Sequence, residues 1–326
     1  MQKQNMILAM ILLSVMIVLP TMIVLPFHDT PTQAAPPTQD VPTTQDDTES
    51  NVVVKVKRTQ TDTIDRLPLE DYVTQVVASE IPAEFEPEAL KAQALAARTY
   101  ILNTIAHTEQ DAAFHVKDTV DDQVFHSEEE LRDMWGVKYS DYMNKIETAV
   151  KATEGEVITY DGEPITAAFF STSNGYTENA EDYWQNEIPY LKSVSSPWDQ
   201  ASPAFTDQEI FTYDDISNLL NLDSSLFKVE DISRTESGRV ASITINHQSY
   251  TGREIREQLG LRSNDFTIET TGEHVIFTTN GYGHGVGMSQ YGANGMAKEG
   301  YTYSDIINHY YQNVTIEPLT QVETVS

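Results

Sequence analysis

The order of apolar and polar residues changes rhythm along this chain, and each change predicts a different element. The run from Met6 to Phe27 is apolar apart from Ser14, Thr21 and two prolines, with Lys3 the one charge before it. A run of this length can cross a bilayer, which takes ~20 residues. It exceeds a usual signal-peptide core, although Ala34 and Ala35 leave a cleavage site open. The expectation is an uncleaved transmembrane anchor over 6–27, a cytoplasmic tail over 1–5 and the remainder outside, the orientation that a basic residue before the span favours.

Residues 28–51 turn to Thr, Gln, Pro and Asp, too poor in apolar side chains to offset chain entropy, and read as a disordered stalk. NVVVKVKRT then carries the β-branched pattern of a strand. In LPLEDYVTQVVASE, Leu69, Val73, Val76 and Val77 recur at helical spacing, and Pro82 biases Ile81 away from helical dihedrals. That helix is predicted to stop close to Glu80. A second helix opens after Phe85, with Pro87 in its first turn, and continues through the alanine-rich EALKAQALAARTYILNTI. Lys91 and Arg98, seven apart, share one of its faces.

GEVITYDGEPITAAFFSTSNG predicts a hairpin about Asp161 and Gly162, and an aromatic-rich loop runs over 183–198. From 206 to 269 the pattern is that of a self-contained unit: a helix over 213–220, the strand VASITI, a turn, the helix GREIREQLG and the strand FTIET. Two helices, ending at Gly300 and near Tyr311, and a strand VTIEPL follow. The predicted fold class is α+β: a mixed main domain in two parts, 52–205 and 270–318, with an inserted small α+β lobe over 206–269 and a tail over 319–326.

Composition narrows the chemistry. Of 326 residues 40% are hydrophobic, enough for a sizeable core. Fifty acidic against twenty basic residues give a net charge of −30, which repels phosphate backbones and argues against nucleic acid. There is no cysteine, so disulfides, thiolate zinc sites and thiol nucleophiles are excluded. Any acid or nucleophile comes from oxygen or histidine.

Two places hold candidate chemistry. In NGYGHGVGMSQYGANGMAKEG, glycines at 281, 283, 285 and 287 alternate with Tyr282, His284 and Val286. The spacing completes neither a dinucleotide fingerprint nor a P-loop, and Tyr291 stands where a nucleophile elbow needs glycine. Backbone donors lining the floor of a polar groove are one reading; a tight buried turn in which His284 satisfies a carbonyl is the other. The second place is Glu80, where the negative end of a helix macrodipole and apolar neighbours favour the protonated carboxyl of a general acid, unless Arg98 or Lys91 pairs with it. Physical argument from sequence does not raise Glu80 above Glu84 or Glu88. Tyr and Trp residues amid polar neighbours suit a sugar cleft, where a ring stacks on a pyranose, or a packed core.

Three segments, ASEIPAEFEPEALKAQALAARTY, FFSTSNGYTENAEDYW with PYLKSVSSPWD, and GYGHGVGMSQYGANGMAKEGYTYSDIINHYY, in this order behind an apolar N-terminus, resemble the stage II sporulation protein D family. The resemblance implies a peptidoglycan lytic transglycosylase of sporulation engulfment, cutting between N-acetylmuramic acid and N-acetylglucosamine to leave 1,6-anhydro ends. It implies Glu80 as catalytic acid/base, with Lys91, Arg98, Tyr190, Lys192, His284, Gln290, Tyr291, Tyr310 and Tyr311 as substrate contacts. Arg98 and Lys192 are the expected hold on a lactyl carboxylate. Implied partners are glycan strands, a cell-wall amidase and a multispanning membrane protein, at the septal membrane. A glycan-binding amidase activator without catalysis is the competing expectation, and the lobe is expected to touch the amidase or more distant sugars. Some relatives hold zinc through a histidine and cysteines after the second helix; here His115 has no thiolate partner, so no metal and no cofactor are expected.

Overall fold

A computed structural model describes residues 52–222, 227–272 and 274–321. The anchor at 6–27, the stalk at 28–51 and the end of the tail lie outside the described residues. Among the described residues, no helix is long and apolar enough to cross a membrane.

The helices in chain order are α1 (Leu69–Glu80), α2 (Pro87–His107), α3 (Glu128–Trp135), α4 (Tyr139–Ala152), α5 (Ala180–Trp184), α6 (Tyr213–Leu219), α7 (Gly252–Leu259), α8 (Gln290–Lys298) and α9 (Tyr303–Tyr310). Twelve of the 21 residues of α2 are buried, and its alanines leave room for α1, α4, α8 and α9 to pack around it. It is the axis of the main core. Around it lie three small sheets: Ile64–Pro68, Val53–Lys57 and Val116–Lys117; Thr315–Pro318, Glu156–Tyr160 and Glu163–Pro164; and the parallel pair Met288–Ser289 with Phe169–Phe170. The fold is thus α+β, as the pattern predicts. The hairpin turns at Asp161 and Gly162, both at positive φ (53° and 84°).

The lobe has a hydrophobic core of its own, including Ile216, Ile243, Ile255, Phe266, Val275 and Phe277. Both predicted helices and the strands Val240–Ile245 and Phe266–Thr271 form, but Thr206–Thr212, Val229–Arg234 and Gln248–Thr251 are strands that the pattern does not predict, and the division expected at 269 falls inside a hairpin. Phe266–Thr271 pairs with His274–Asn280, which pairs in turn with Thr206–Thr212. The alternation in HVIFTTN, with Val275, Phe277 and Thr279 buried, places this strand in the lobe's sheet.

The apolar pattern predicts no element over 128–152, the stretch that forms α3 and α4. The first opens on a capping box, Ser127 with Glu130, and α4 buries Met143, Ile146, Ala149 and Val150 toward the main core. These two helices and the loop before them cover the end of α1.

Candidate active site

Glu80 is the last residue of α1, and Ile81, ahead of Pro82, is extended (φ −133°, ψ 152°). No basic residue stands in the last turn to offset the dipole. Segment 118–126 folds over this end. Val124 N–H donates to Glu80 Oε1 (2.6 Å) and His126 N–H donates to Ser79 Oγ (2.9 Å), whose own hydroxyl donates to the Gln75 carbonyl (2.7 Å). Gln290 of α8 reaches the same carboxyl with its side chain. Burial disfavours the charged form more than these two hydrogen bonds favour it, and the Glu80 carboxyl is raised to about 7. It opens onto a cleft of about 600 Å³ lined also by Pro82, Glu84, Trp135 and Tyr142. At neutral pH such a group both holds and accepts a proton, the requirement for acid–base catalysis.

Tertiary structure separates the three glutamates. Glu84 is exposed, takes the Tyr142 hydroxyl and is held below the usual carboxylate range by it. Glu88 pairs with Lys91 Nζ (2.6 Å) and accepts Tyr303 N–H (2.8 Å). Of the three, Glu80 is the half-buried one with no cation paired to it among the described residues, and the one raised.

Neither candidate cation of α2 turns to Glu80. Arg98 is fully buried and forks onto Glu70 (Nε 2.8 Å, Nη2 2.6 Å), with further bonds to the Val150 and Glu156 carbonyls, so it ties α1 to the α4 end. Lys91 faces α9, its ammonium 5.9 Å from the Tyr303 ring. Lys192 is held at the surface by Glu181 (2.7 Å) and Glu187 (2.8 Å). The Tyr190 hydroxyl accepts Thr166 N–H (3.0 Å) beside a separate cleft with Tyr160 and His107. Tyr310 and Tyr311 are fully buried, their hydroxyls bonded to Ser196 Oγ (2.7 Å) and the Ala168 carbonyl (2.8 Å). Tyr291 stands edge-on to Phe85 at 5.0 Å. Of the predicted contacts, then, Gln290 is the one brought onto the Glu80 carboxyl. Missing from the prediction was segment 118–126, whose backbone amides carried no signal in the sequence.

The glycine stretch is a packed seam. Its four alternate glycines have φ between 81° and 116°, and a Cβ on each would meet a different neighbour: the Thr172 carbonyl at 2.7 Å, Phe170 Cβ at 2.8 Å, Arg239 Nε at 2.6 Å and the Ala168 carbonyl at 2.1 Å. The turn reading therefore holds for the glycines, and no groove floor of bare amides forms. His284 Nδ1 accepts Val286 N–H (3.0 Å) and the ring also bonds the Phe169 backbone; burial, reinforced by Arg256, lowers it to about 3 and keeps it neutral. Phe170, Tyr183 and Trp184 surround it at 5.6, 5.8 and 5.6 Å. One edge lines a second cleft, of about 690 Å³. Tyr100 and Asp122 line this cleft too, and Tyr100 is pushed up to about 12 by burial and by the charges of Asp122 and Glu80. Segment 118–126 thus borders the second cleft and holds the acid. Among the described residues, no group of three or more metal-ligating side chains comes together; His115 Nδ1 accepts Lys55 N–H (3.2 Å).

A single shielded carboxyl at a helix end, clamped by one loop between two clefts, lies within residues 57–160, the part of the chain that matches the family model described as "Stage II sporulation protein". The chain belongs to the stage II sporulation protein D family. It is 49% identical over 272 residues to "Stage II sporulation protein D" of Bacillus subtilis (strain 168), covering 82% of this chain and 79% of that protein. It is 48% identical over 275 residues to the protein of the same name from Bacillus amyloliquefaciens, with the same coverage. Similarity extends to "Amidase enhancer" of Bacillus subtilis (strain 168), 29% identical over 297 residues, 74% of this chain and 39% of that protein.

Proposed function

We propose that the protein is a lytic transglycosylase of peptidoglycan, anchored at the septal or engulfing membrane by residues 6–27 with its catalytic part outside the cytoplasm. The observation that carries this reading is the Glu80 carboxyl, raised to about 7 by burial at the rim of a cleft. Protonated Glu80 donates its proton to the glycosidic oxygen as the bond to the muramic anomeric carbon breaks. The resulting carboxylate then takes the proton of the muramic 6-hydroxyl, whose oxygen closes on the anomeric carbon to give the 1,6-anhydro ring. The proton count is conserved and no water enters. One carboxyl suffices because the nucleophile is already tethered to the substrate, which gives it a large effective concentration. A hydrolase working with two carboxyls would instead add water.

The test is mass spectrometry of glycan strands stripped of stem peptides after incubation with the full-length chain. Anhydro-ended fragments are expected, and products one water heavier would replace this reading with hydrolysis. A second reading, a glycan-binding activator of a cell-wall amidase, is supported by the relative named "Amidase enhancer". It predicts intact strands alone and faster peptide release when an amidase is added. An amidase that strips stem peptides and a multispanning membrane protein are the partners we propose for either reading.

A further inference from the structure

The cleft beside His284 has two walls with carboxylates on both, Glu257 on one and Asp121 and Asp122 on the other. One belongs to the lobe, where Arg253 and Arg256 on α7 and Arg262 just beyond it converge, three of the nine arginines in a chain of net charge −30. Arg253 Nε bonds Glu257 (2.7 Å) and its guanidinium lies 4.9 Å from the Tyr183 ring. Arg262 Nε bonds Asp207 (2.9 Å), with the guanidinium 5.5 Å from the Tyr282 ring. Arg256 differs. It is half-buried and meets neutral oxygens, the Tyr183 hydroxyl (3.0 Å) and the Arg262 carbonyl (3.2 Å), with no carboxylate partner among the described residues. A guanidinium fixed in place by neutral groups, its charge unmatched, is preorganised to receive a planar anion. The rings of Trp184 and Tyr282 line the same cleft and offer flat apolar faces. The opposite wall carries Asp121 and Asp122, which repel an anion and so direct it toward α7.

We infer that this cleft is a subsite for a pyranose bearing a carboxylate, Arg256 binding the acid group and Arg253 and Arg262 flanking it, so that the lobe supplies the recognition of muramic acid that Arg98 and Lys192, engaged with the protein's own glutamates, do not. The inference rests on the proposed glycan substrate. It also places the subsite near the acid. Asp122 lines the cleft, and Val124, whose amide holds Glu80, is two residues on, so their Cα atoms are within about 7 Å of each other. Cleft and acid therefore serve neighbouring sugars of one strand, with the lobe fixing which sugar stands where.

The test uses the full-length chain carrying Glu80→Gln, so that binding is read without turnover. Its affinity is measured for stripped glycan strands with free carboxylates and for the same strands methyl-esterified. The free-acid strand is expected to bind about tenfold tighter, as for one charge-assisted contact. Adding Arg256→Ala is expected to abolish that difference by weakening the free-acid strand alone, and Arg256→Lys to restore part of it. Equal affinity of the two strands, or an equal loss on both in the Arg256→Ala protein, overturns the subsite. The esterified strand also reports whether the variant is folded. Absence of anhydro products from the unsubstituted chain would remove the catalytic reading and leave this binding result standing, so the two failures are distinguishable.

Discussion

Glu80 and His284 are both half-buried beside a cleft, and burial moves both toward the neutral form, yet they end in opposite conditions. The acid is raised to about 7 and the base lowered to about 3. A raised acid has a proton to give at neutral pH. A lowered imidazole, with Nδ1 accepting from Val286 and the ring bonded to the Phe169 backbone, has none to give and no free lone pair to take one. Under the proposed function, neutrality by burial suits Glu80 to proton transfer and His284 to a fixed place. Both face a cleft; the difference lies in the charged form that burial disfavours, an anion for Glu80 and a cation, further opposed by Arg256, for His284.

The largest expected effect follows directly. Glu80→Gln keeps an acceptor for Val124 N–H but removes the proton, and turnover is expected to fall by roughly 10² to 10⁴-fold with strand binding retained. Release of anhydro products measures it; undiminished turnover would remove Glu80 from the chemistry.

Next in size is the seam. Gly287→Ala brings a Cβ within 2.1 Å of the Ala168 carbonyl at positive φ, and is expected to cost about 3 kcal/mol or more in denaturant unfolding. Gly260→Ala, also at positive φ but with open space, is expected to cost about 1 kcal/mol. Equal costs would mean that packing does not explain the glycines.

The two pKa shifts also predict stability slopes of opposite sense. A carboxyl with a folded value of about 7 against an ordinary 4.5 contributes stability that is full below 4.5 and lost as pH rises to about 7, at most about 3 kcal/mol. Glu80→Gln is therefore expected to be more stable than the unsubstituted chain at pH 8.5 and no more stable at pH 4. His284, lowered from 6.5, contributes a loss of stability as pH falls below 6.5, so His284→Gln is expected to flatten the acid side of the stability curve. The smallest effect expected is on rate: the fall in turnover above about pH 7 belongs to Glu80 and stays in place in His284→Gln. A shifted limb would give the imidazole a catalytic part.

Where local signals decide the outcome, the chain announces it. Pro82 ends α1 at Glu80, alanines make α2 a helix that neighbours can crowd, and Asp161-Gly162 turns a hairpin. Within the lobe, both helices and the strands Val240–Ile245 and Phe266–Thr271 are legible, whereas Thr206–Thr212, Val229–Arg234 and Gln248–Thr251 are not, and the strand His274–Asn280 shows that a period-2 pattern does not name its partner strands. The helix end and apolar neighbours give the direction in which Glu80 is shifted, but not the loop some forty residues away that covers it and donates Val124 N–H, because that contact is set by tertiary packing. Arg98 misleads for the same reason. Its place on α2 is fixed by helical spacing, but its partner, Glu70, lies on the preceding helix, and pairing between helices is set by packing. The glycine alternation shows that something must approach closely without showing whether it is ligand or protein; the neighbours are Thr172, Phe170, Arg239 and Ala168.

The most direct measurement is the titration of Glu80 itself, read as the carboxyl-carbon shift that disappears from the spectrum of ¹³C-glutamate-labelled protein in Glu80→Gln. The account predicts a midpoint of about 7; a midpoint near the ordinary 4.5 would contradict it.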